Sequence, residues 1–170
     1  MIRLLRTLRA EDRAAAATEM ALALPLLLVL IWGPLEIGNY FLNEHMLIKG
    51  VRDGAIYAAH QDISNYDCTN NTIGGTVVAD TQNIVRSGQL SGGVDRLRNW
   101  GSATFNMSVT CVTQSTNGTT LSGIYALNAG KVPIVSIDAS LPYASILGNL
   151  GFRPATLTVN AKQQATVMGI

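Results

Sequence analysis

The chain has 170 residues, of which 48% are hydrophobic types and 14% are charged, with a formal net charge of +1. That length suits one domain of modest size joined to a markedly apolar segment rather than two full domains. A near-neutral balance without a clustered basic face excludes a nucleic-acid footprint.

The apolar residues concentrate early, and residues 20–35 carry no charge at all. As a helix that stretch covers roughly 24 Å, against a hydrocarbon core of about 30 Å. The continuation IGNYFL, residues 37–42, supplies the missing length. Trp32, Tyr40 and Phe41 fall where aromatic side chains anchor a span to the interface. One membrane crossing over about residues 20–42 is therefore expected, with Glu19 and Glu36 at its two ends. Arg3, Arg6, Arg9 and Arg13 precede the run, and Lys49 and Arg52 are the first basic residues after it. The bias keeps residues 1–14 in the cytoplasm and sends everything beyond about residue 42 across the membrane. A cleaved secretory signal peptide shares the basic and apolar regions. Here, however, no small-x-small cleavage site follows the run, and GPLEIGNYFLNEHM continues as helix-like sequence.

Past the span the helical pattern persists. NEHMLIKGVRDGAIYAAH lacks proline, and Gly50, Gly54 and Ala58 recur at four-residue steps beside an apolar stripe of Leu47, Ile48, Val51 and Ala55. Small residues on one face permit close approach of another backbone, at about 1 kcal/mol of helix propensity per glycine. We read this face as a surface for docking other subunits. A helix over residues 14–59 would be about 69 Å long, so roughly its last third stands beyond the bilayer. Gly33 and Pro34 are expected to bend it near the outer interface.

Cys68 and Cys111 are the only cysteines, and both lie on the translocated side. An oxidising compartment allows them to pair, and in the chain-entropy model closing that loop stabilises the fold by up to about 4 kcal/mol. The alternative is two unpaired structural cysteines. Two cysteines and two distant histidines lack the spacing of a zinc site, so no metal or cofactor is expected.

QDISNYDCTNN, residues 61–71, reads as a loop. Val77, Val78, Thr81, Ile84 and Val85 then mark one face of a second helix, suited to packing on a sheet. The glycine-rich stretch SGQLSGGVDRLRNWGS follows no strand and fits no phosphate loop, so it reads as turns. Beyond it the apolar residues alternate. Phe105, Met107, Val109 and Cys111 share a face of one strand, and Val135, Ile137, Ala139 and Leu141 that of a second. Leu157, Val159, Ala161, Ala165 and Val167 mark a third. Within residues 115–130, TLSGIYAL is a further short strand candidate, and PYASILGNLGF connects the last two strands. The fold class expected is α+β: a long N-terminal transmembrane helix, then a domain with a second helix and a small antiparallel sheet. Its divisions are a basic leader over residues 1–14, the long helix over 15–60, and the α+β domain over 61–170.

The stretch from Arg13 through the second alanine pair, RAAAATEMALALPLLLVLIWGPLEIGNYFLNEHMLIKGVRDGAIYAA, resembles the TadE-like family of bacterial pilus-assembly proteins. The matching positions are the alanines at 14–17, Glu19, Pro25, Glu36 with Gly38, and the run Arg52, Asp53, Gly54, Ala55. The resemblance implies a minor pilin or pseudopilin of a tight-adherence (Tad, Flp) type IV-like pilus, with a pilin-like periplasmic domain. It also implies an inner-membrane location with the N-terminus cytoplasmic, and leaves both incorporation into the pilus and permanent anchoring open. The partners implied are membrane lipid, other pilins or pseudopilins, the assembly platform, and a prepilin peptidase that removes a leader. Carried onto this chain, the cut falls between Ala14 and Ala15, with Ala14 standing where the family usually has glycine. The new α-amino group at Ala15 would then be neutralised by Glu19 of a neighbouring subunit, since pairing makes a buried charge tolerable.

Enzymatic constellations are not evident. His45 and His60 lie outside any HExxH pattern, no serine sits in GxSxG, and Asp95 and Asp138 are isolated carboxylates. No small-molecule substrate is implied. Sequons at Asn70, Asn106 and Asn117 carry no role in a bacterial setting. Two other readings are an unprocessed single-pass scaffold of the same machine and a membrane-anchored binding module or adhesin using residues 115–130.

Overall fold

The computed structural model describes residues 2–113, 115–116, 119–120, 123–150 and 157–169. The sequon at Asn117 and the end of the connection after residue 150 lie outside them. The first element is α1, Ile2–Ala59, a single helix of 58 residues that continues through Pro25 and Pro34. Its sequence is dominated by Ala and Leu, both strong helix formers, which offsets the backbone donor lost at each proline. The chain divides into two compact units, Met1–Asn39 and Tyr40–Ile170.

In the first unit the apolar side chains find no core. Met20, Leu22, Leu26, Val29 and Leu30 are each at least 60% exposed. A contiguous apolar surface of that kind belongs against lipid or another protein rather than water.

The second unit is α+β. After α1 come a 3₁₀ turn, Ile63–Asn65, and a small hairpin of β1, Tyr66–Asp67, and β2, Thr72–Ile73. The second helix, α2, Val77–Ser87, follows and ends at Gly88, whose φ of +80° places it in the left-handed region. Its N–H donates to the Ile84 carbonyl at 2.8 Å, closing one of the helix's free carbonyls. The main sheet consists of β3, Thr104–Thr113, with β6, Lys131–Pro142, at its centre and β7, Thr158–Thr166, on the other side, all antiparallel. Between β3 and β6 lie the two-residue strands β4, Ser115–Thr116, and β5, Thr119–Thr120, then a 3₁₀ turn, Gly123–Asn128.

The sheet follows the alternation of the sequence. Val109, Val135, Ile137, Ala139, Leu141, Val159 and Ala161 are all buried on one face. Leu47, Val51, Ala55 and Ala58 of α1 join them in a single core cluster, together with Val77 and Val85 of α2 and Trp100. The opposite face of the sheet is polar and solvated, with Asn106, Asp138 and Lys162 in one cross-strand row.

Three expectations need correction. The apolar face of α2 meets α1 directly: a Cβ at Gly50 would stand 2.6 Å from the Val85 carbonyl oxygen, and one at Gly54 2.6 Å from Val85 Cγ2 and 3.2 Å from Thr81 Cγ2. The small-residue face of α1 is therefore occupied by the chain's own second helix and is not a free surface for other subunits. In TLSGIYAL the described residues from Gly123 onward form the 3₁₀ turn rather than a strand. Leu157 is 51% exposed and precedes β7, so it does not share the inner face of the third strand. Its carbonyl instead accepts from Tyr143 N–H at 2.8 Å.

The glycine contact gives a direct prediction. Gly54→Val should destabilise the folded unit by about 1–3 kcal/mol through overpacking. Gly38→Ala, with nothing within 4 Å of the added carbon, should stabilise the helix by up to about 1 kcal/mol. Thermal unfolding of the detergent-solubilised protein, followed by circular dichroism, checks both, and equal melting of Gly54→Val and wild type would contradict the contact.

Candidate functional site

The residues singled out by sequence lie mainly along α1. Ala14 and Ala15 are within the helix, and the Thr18 hydroxyl donates to the Ala15 carbonyl at 2.8 Å. Glu19, one residue further on, is exposed, and no hydrogen bond or ion pair engages it among the described residues. Seventeen residues later stands Glu36, half-buried, so the two carboxylates bracket about 25 Å of helix axis. Gly38 has open space around its Cα.

The run from Arg52 to Ala55 splits into four roles. Arg52 is exposed, Asp53 is half-buried, and Gly54 and Ala55 are buried. Asp53 Oδ2 accepts from Arg96 Nη1 at 3.0 Å. Arg96 also anchors its own loop, its N–H donating to the Arg86 carbonyl at 2.9 Å, and its guanidinium lies where a Cβ at Gly88 would be. Both partners of the pair are about one-third exposed, which limits its net worth to under about 1 kcal/mol. Its main effect is geometric: it ties the loop after α2 to the helix that α2 packs on.

The C-terminal end of α1 is satisfied by groups distant in sequence. The final carbonyls of a helix have no partner within it. Here the Tyr66 hydroxyl donates to the Ala58 carbonyl at 2.5 Å, and Met168 N–H donates to the Ala59 carbonyl at 2.9 Å. Burial pushes the Tyr66 phenol up from its ordinary value, with Tyr57 adding to the effect. Tyr57 is itself raised, first by burial and then by the charge of Asp80, whose Oδ2 accepts its hydroxyl at 3.3 Å. The folded unit thus grips α1 by a phenol, a strand end and a helix face.

Cys68 and Cys111 are joined, with their Cα atoms 5.5 Å apart. The bond ties the β1–β2 hairpin to the inner face of β3. Asp67 beside it is held below the usual carboxylate range, chiefly by the Thr69 N–H and then by the Asn70 side chain.

The remaining polar candidates are dispersed. His45 and His60 are exposed, His60 Nδ1 lying 2.8 Å from the Ile56 carbonyl. Asp95 is paired with Arg86. Asp138 and Lys162 form a 3.2 Å pair in a shallow polar depression of about 290 Å³ on the outer sheet face. Among the described residues no group of three or more His, Cys, Asp or Glu could hold a metal ion. Sequence reasoning did not single out Arg96 or Tyr66. Arg96 sits in a glycine-rich stretch whose path periodicity does not reveal, and Tyr66 in a loop without a pattern.

These features define an α+β protein with one helix, among the described residues, long and apolar enough to cross a membrane. Residues 14–55 match the family model described as TadE-like protein. That is the family the sequence resembles, one of minor pilin-like proteins associated with Tad pili, and the match takes in Glu19, Glu36 and Gly38 and ends at Ala55. No curated protein and no solved structure matches the chain.

If the disulfide braces the hairpin against β3, Cys68→Ser should lower unfolding stability by about 2–4 kcal/mol. Urea unfolding with and without reductant checks this. The variant should match the reduced wild type, and an unchanged midpoint would contradict the brace.

Proposed function

We propose that this chain is a non-enzymatic, single-pass inner-membrane pseudopilin of a Tad-type pilus machine. Residues 20–42 cross the bilayer with the N-terminus cytoplasmic, and the domain beyond them is periplasmic. The observation that carries the reading is a coincidence of spans. The segment matching the TadE-like family, residues 14–55, takes in the stretch of α1 from Met20 to Leu30 whose apolar side chains are exposed. The match begins at Ala14, one residue before the Ala14–Ala15 bond that a prepilin peptidase would cut in this reading.

Glu19 takes a role in assembly. No group among the described residues engages it, and the α-amino group of a neighbouring subunit's Ala15 would supply a countercharge at the right depth. Glu36 and Gly38 mark the outer end of the span, where Gly38 leaves room for a neighbouring helix. The helix stores the subunit in the bilayer until it joins other pilins or the assembly platform. The disulfide suits a compartment that permits oxidation.

Mass and N-terminal sequencing of the membrane-extracted protein test the handling. Loss of residues 1–14 is expected, whereas an intact 18.1 kDa chain would overturn processing and favour an unprocessed scaffold, a reading to which Ala14 in place of the family's glycine lends weight. Glu19→Ala should reduce piliation while the Cys68–Cys111 bond still forms. Normal pili at normal expression would remove Glu19 from assembly.

A further inference from the structure

Where α1 passes through the second unit, one face is buried and the other is bare. Between residues 41 and 59 eight positions are exposed. Five of them are large apolar residues, Phe41, Leu42, Met46, Ile48 and Ile56, each 43–62% exposed; the first two close the proposed span, so Met46, Ile48 and Ile56 are the apolar members beyond it. The other three are His45, Lys49 and Arg52. At 3.6 residues per turn these positions fill a continuous arc of roughly 160°, with the three basic residues near its centre and apolar residues on both flanks. One carboxylate, Asp53, falls within the same arc, half-buried and already paired with Arg96. Neither Lys49 nor Arg52 has a partner among the described residues; elsewhere in the unit Arg86, Arg96 and Lys162 are in ion pairs, whereas Arg98 and Lys131 are not. A solvated helix face ordinarily mixes both signs of charge and exposes large apolar groups singly.

We infer that this stripe docks a different protein, one presenting carboxylates flanked by apolar side chains on a helix that runs alongside α1. Charge complementarity sets the sign of the partner. A second copy of this chain does not fit. Two stripes packed on each other oppose Lys49 and Arg52 to like charges, and the described residues of the second unit offer no cluster of unengaged carboxylates instead. Asp53, Asp95 and Asp138 are in ion pairs, and Asp62, Asp67 and Asp80 accept hydrogen bonds from neighbouring groups. Glu44 lies half-buried at the edge of the stripe's own helix. Anionic lipid does not fit either. Beyond the span, from His45 to Ile56, the stripe rises about 17 Å along the helix axis, past a headgroup layer of roughly 5–8 Å. The inference rests on the membrane-anchored reading above and adds to it which face of α1 is used and what chemistry meets it.

Replacing Ile48 or Ile56 with the photo-crosslinker p-benzoylphenylalanine, in the full-length protein in its own membranes, tests this. The same replacement at Val94, 89% exposed in the loop after α2, is the control. Irradiation should give one adduct from positions 48 and 56 and none from 94, joining a protein other than this chain through a peptide that contains Asp or Glu. Lys49→Glu with Arg52→Glu should cut its yield about tenfold, and changing the mapped acids of the partner to Lys should restore it. Retention of the Cys68–Cys111 bond on a non-reducing gel verifies that the charge-reversed protein is folded. Adducts containing only this chain, adducts to lipid alone, or a yield indifferent to charge reversal would each overturn the proposal. An acidic adduct on a protein outside the pilus machinery would leave it standing and sink the pilus reading. Normal leader processing and a requirement for piliation, without any such adduct, would do the reverse.

Discussion

Helix-to-helix contact at Gly50 and Gly54 is the constraint on which the second unit depends. Only residues without a Cβ let the backbone of α2 approach this closely, since an added carbon would stand 2.6 Å from Val85 at either position. Gly54 belongs to the run of positions that resembles the TadE-like family, and the contact supplies a reason for glycine there: the end of the matched segment coincides with the seat of the second helix. The glycines weaken α1 intrinsically, by about 1 kcal/mol each. Burial of Val77, Thr81 and Val85 against that face offsets the loss through tertiary packing, which supplies most helical stability in proteins.

One helix therefore serves two environments in succession. Its early turns carry apolar side chains with no core to enter. Its last turns are gripped on the glycine face by α2, on the Leu47–Val51 side by the common core, and at the end by Tyr66 and Met168. The Asp53–Arg96 pair and the Cys68–Cys111 bond act at the margins of this grip, the first fixing the loop after α2 and the second fixing the hairpin that carries Tyr66. Neither builds a chemical centre. The titratable side chains that depart from their ordinary values, Tyr57, Tyr66, Asp62 and Asp67, do so through burial or through backbone hydrogen bonds in turns. They are structural consequences of closing the helix end.

Much of this was legible because the sequence states it in periods. The three-stranded sheet buries one face only, so Val109, Val135, Ile137, Ala139 and Leu141 alternate with more solvated residues and the inner face of each strand is legible from the sequence. The apolar run and its flanking arginines were equally plain. What periodicity could not supply was the identity of partners. The spacing of Gly50, Gly54 and Ala58 correctly signals close approach, yet it is silent on whether the approaching backbone belongs to the same chain. Nothing local marks Arg96 as the partner of Asp53, forty-three residues away, or Tyr66 as the cap of Ala58. Such pairings are set by where loops return, and loops carry no repeat. Leu157 shows the converse error, an apolar residue in phase with a strand that starts one residue later.

Assigning the glycine face to α2 changes which surface of α1 remains for other molecules. A helix docked by small residues on one side can contact a partner only through the other, and there the exposed groups are Phe41, Ile48 and Ile56 around Lys49 and Arg52 rather than glycine and alanine. Close backbone packing is then not available, because long side chains hold a neighbour at a greater interaxial distance. Recognition must come from shape around those side chains and from charge. A pair of unpartnered cations discriminates strongly by sign, since like-charge juxtaposition is costly whereas small-residue packing accepts almost any helix. In the proposed docking, selectivity would therefore reside in the portion of α1 that belongs to the folded unit, while around Gly38 an added carbon meets nothing within 4 Å.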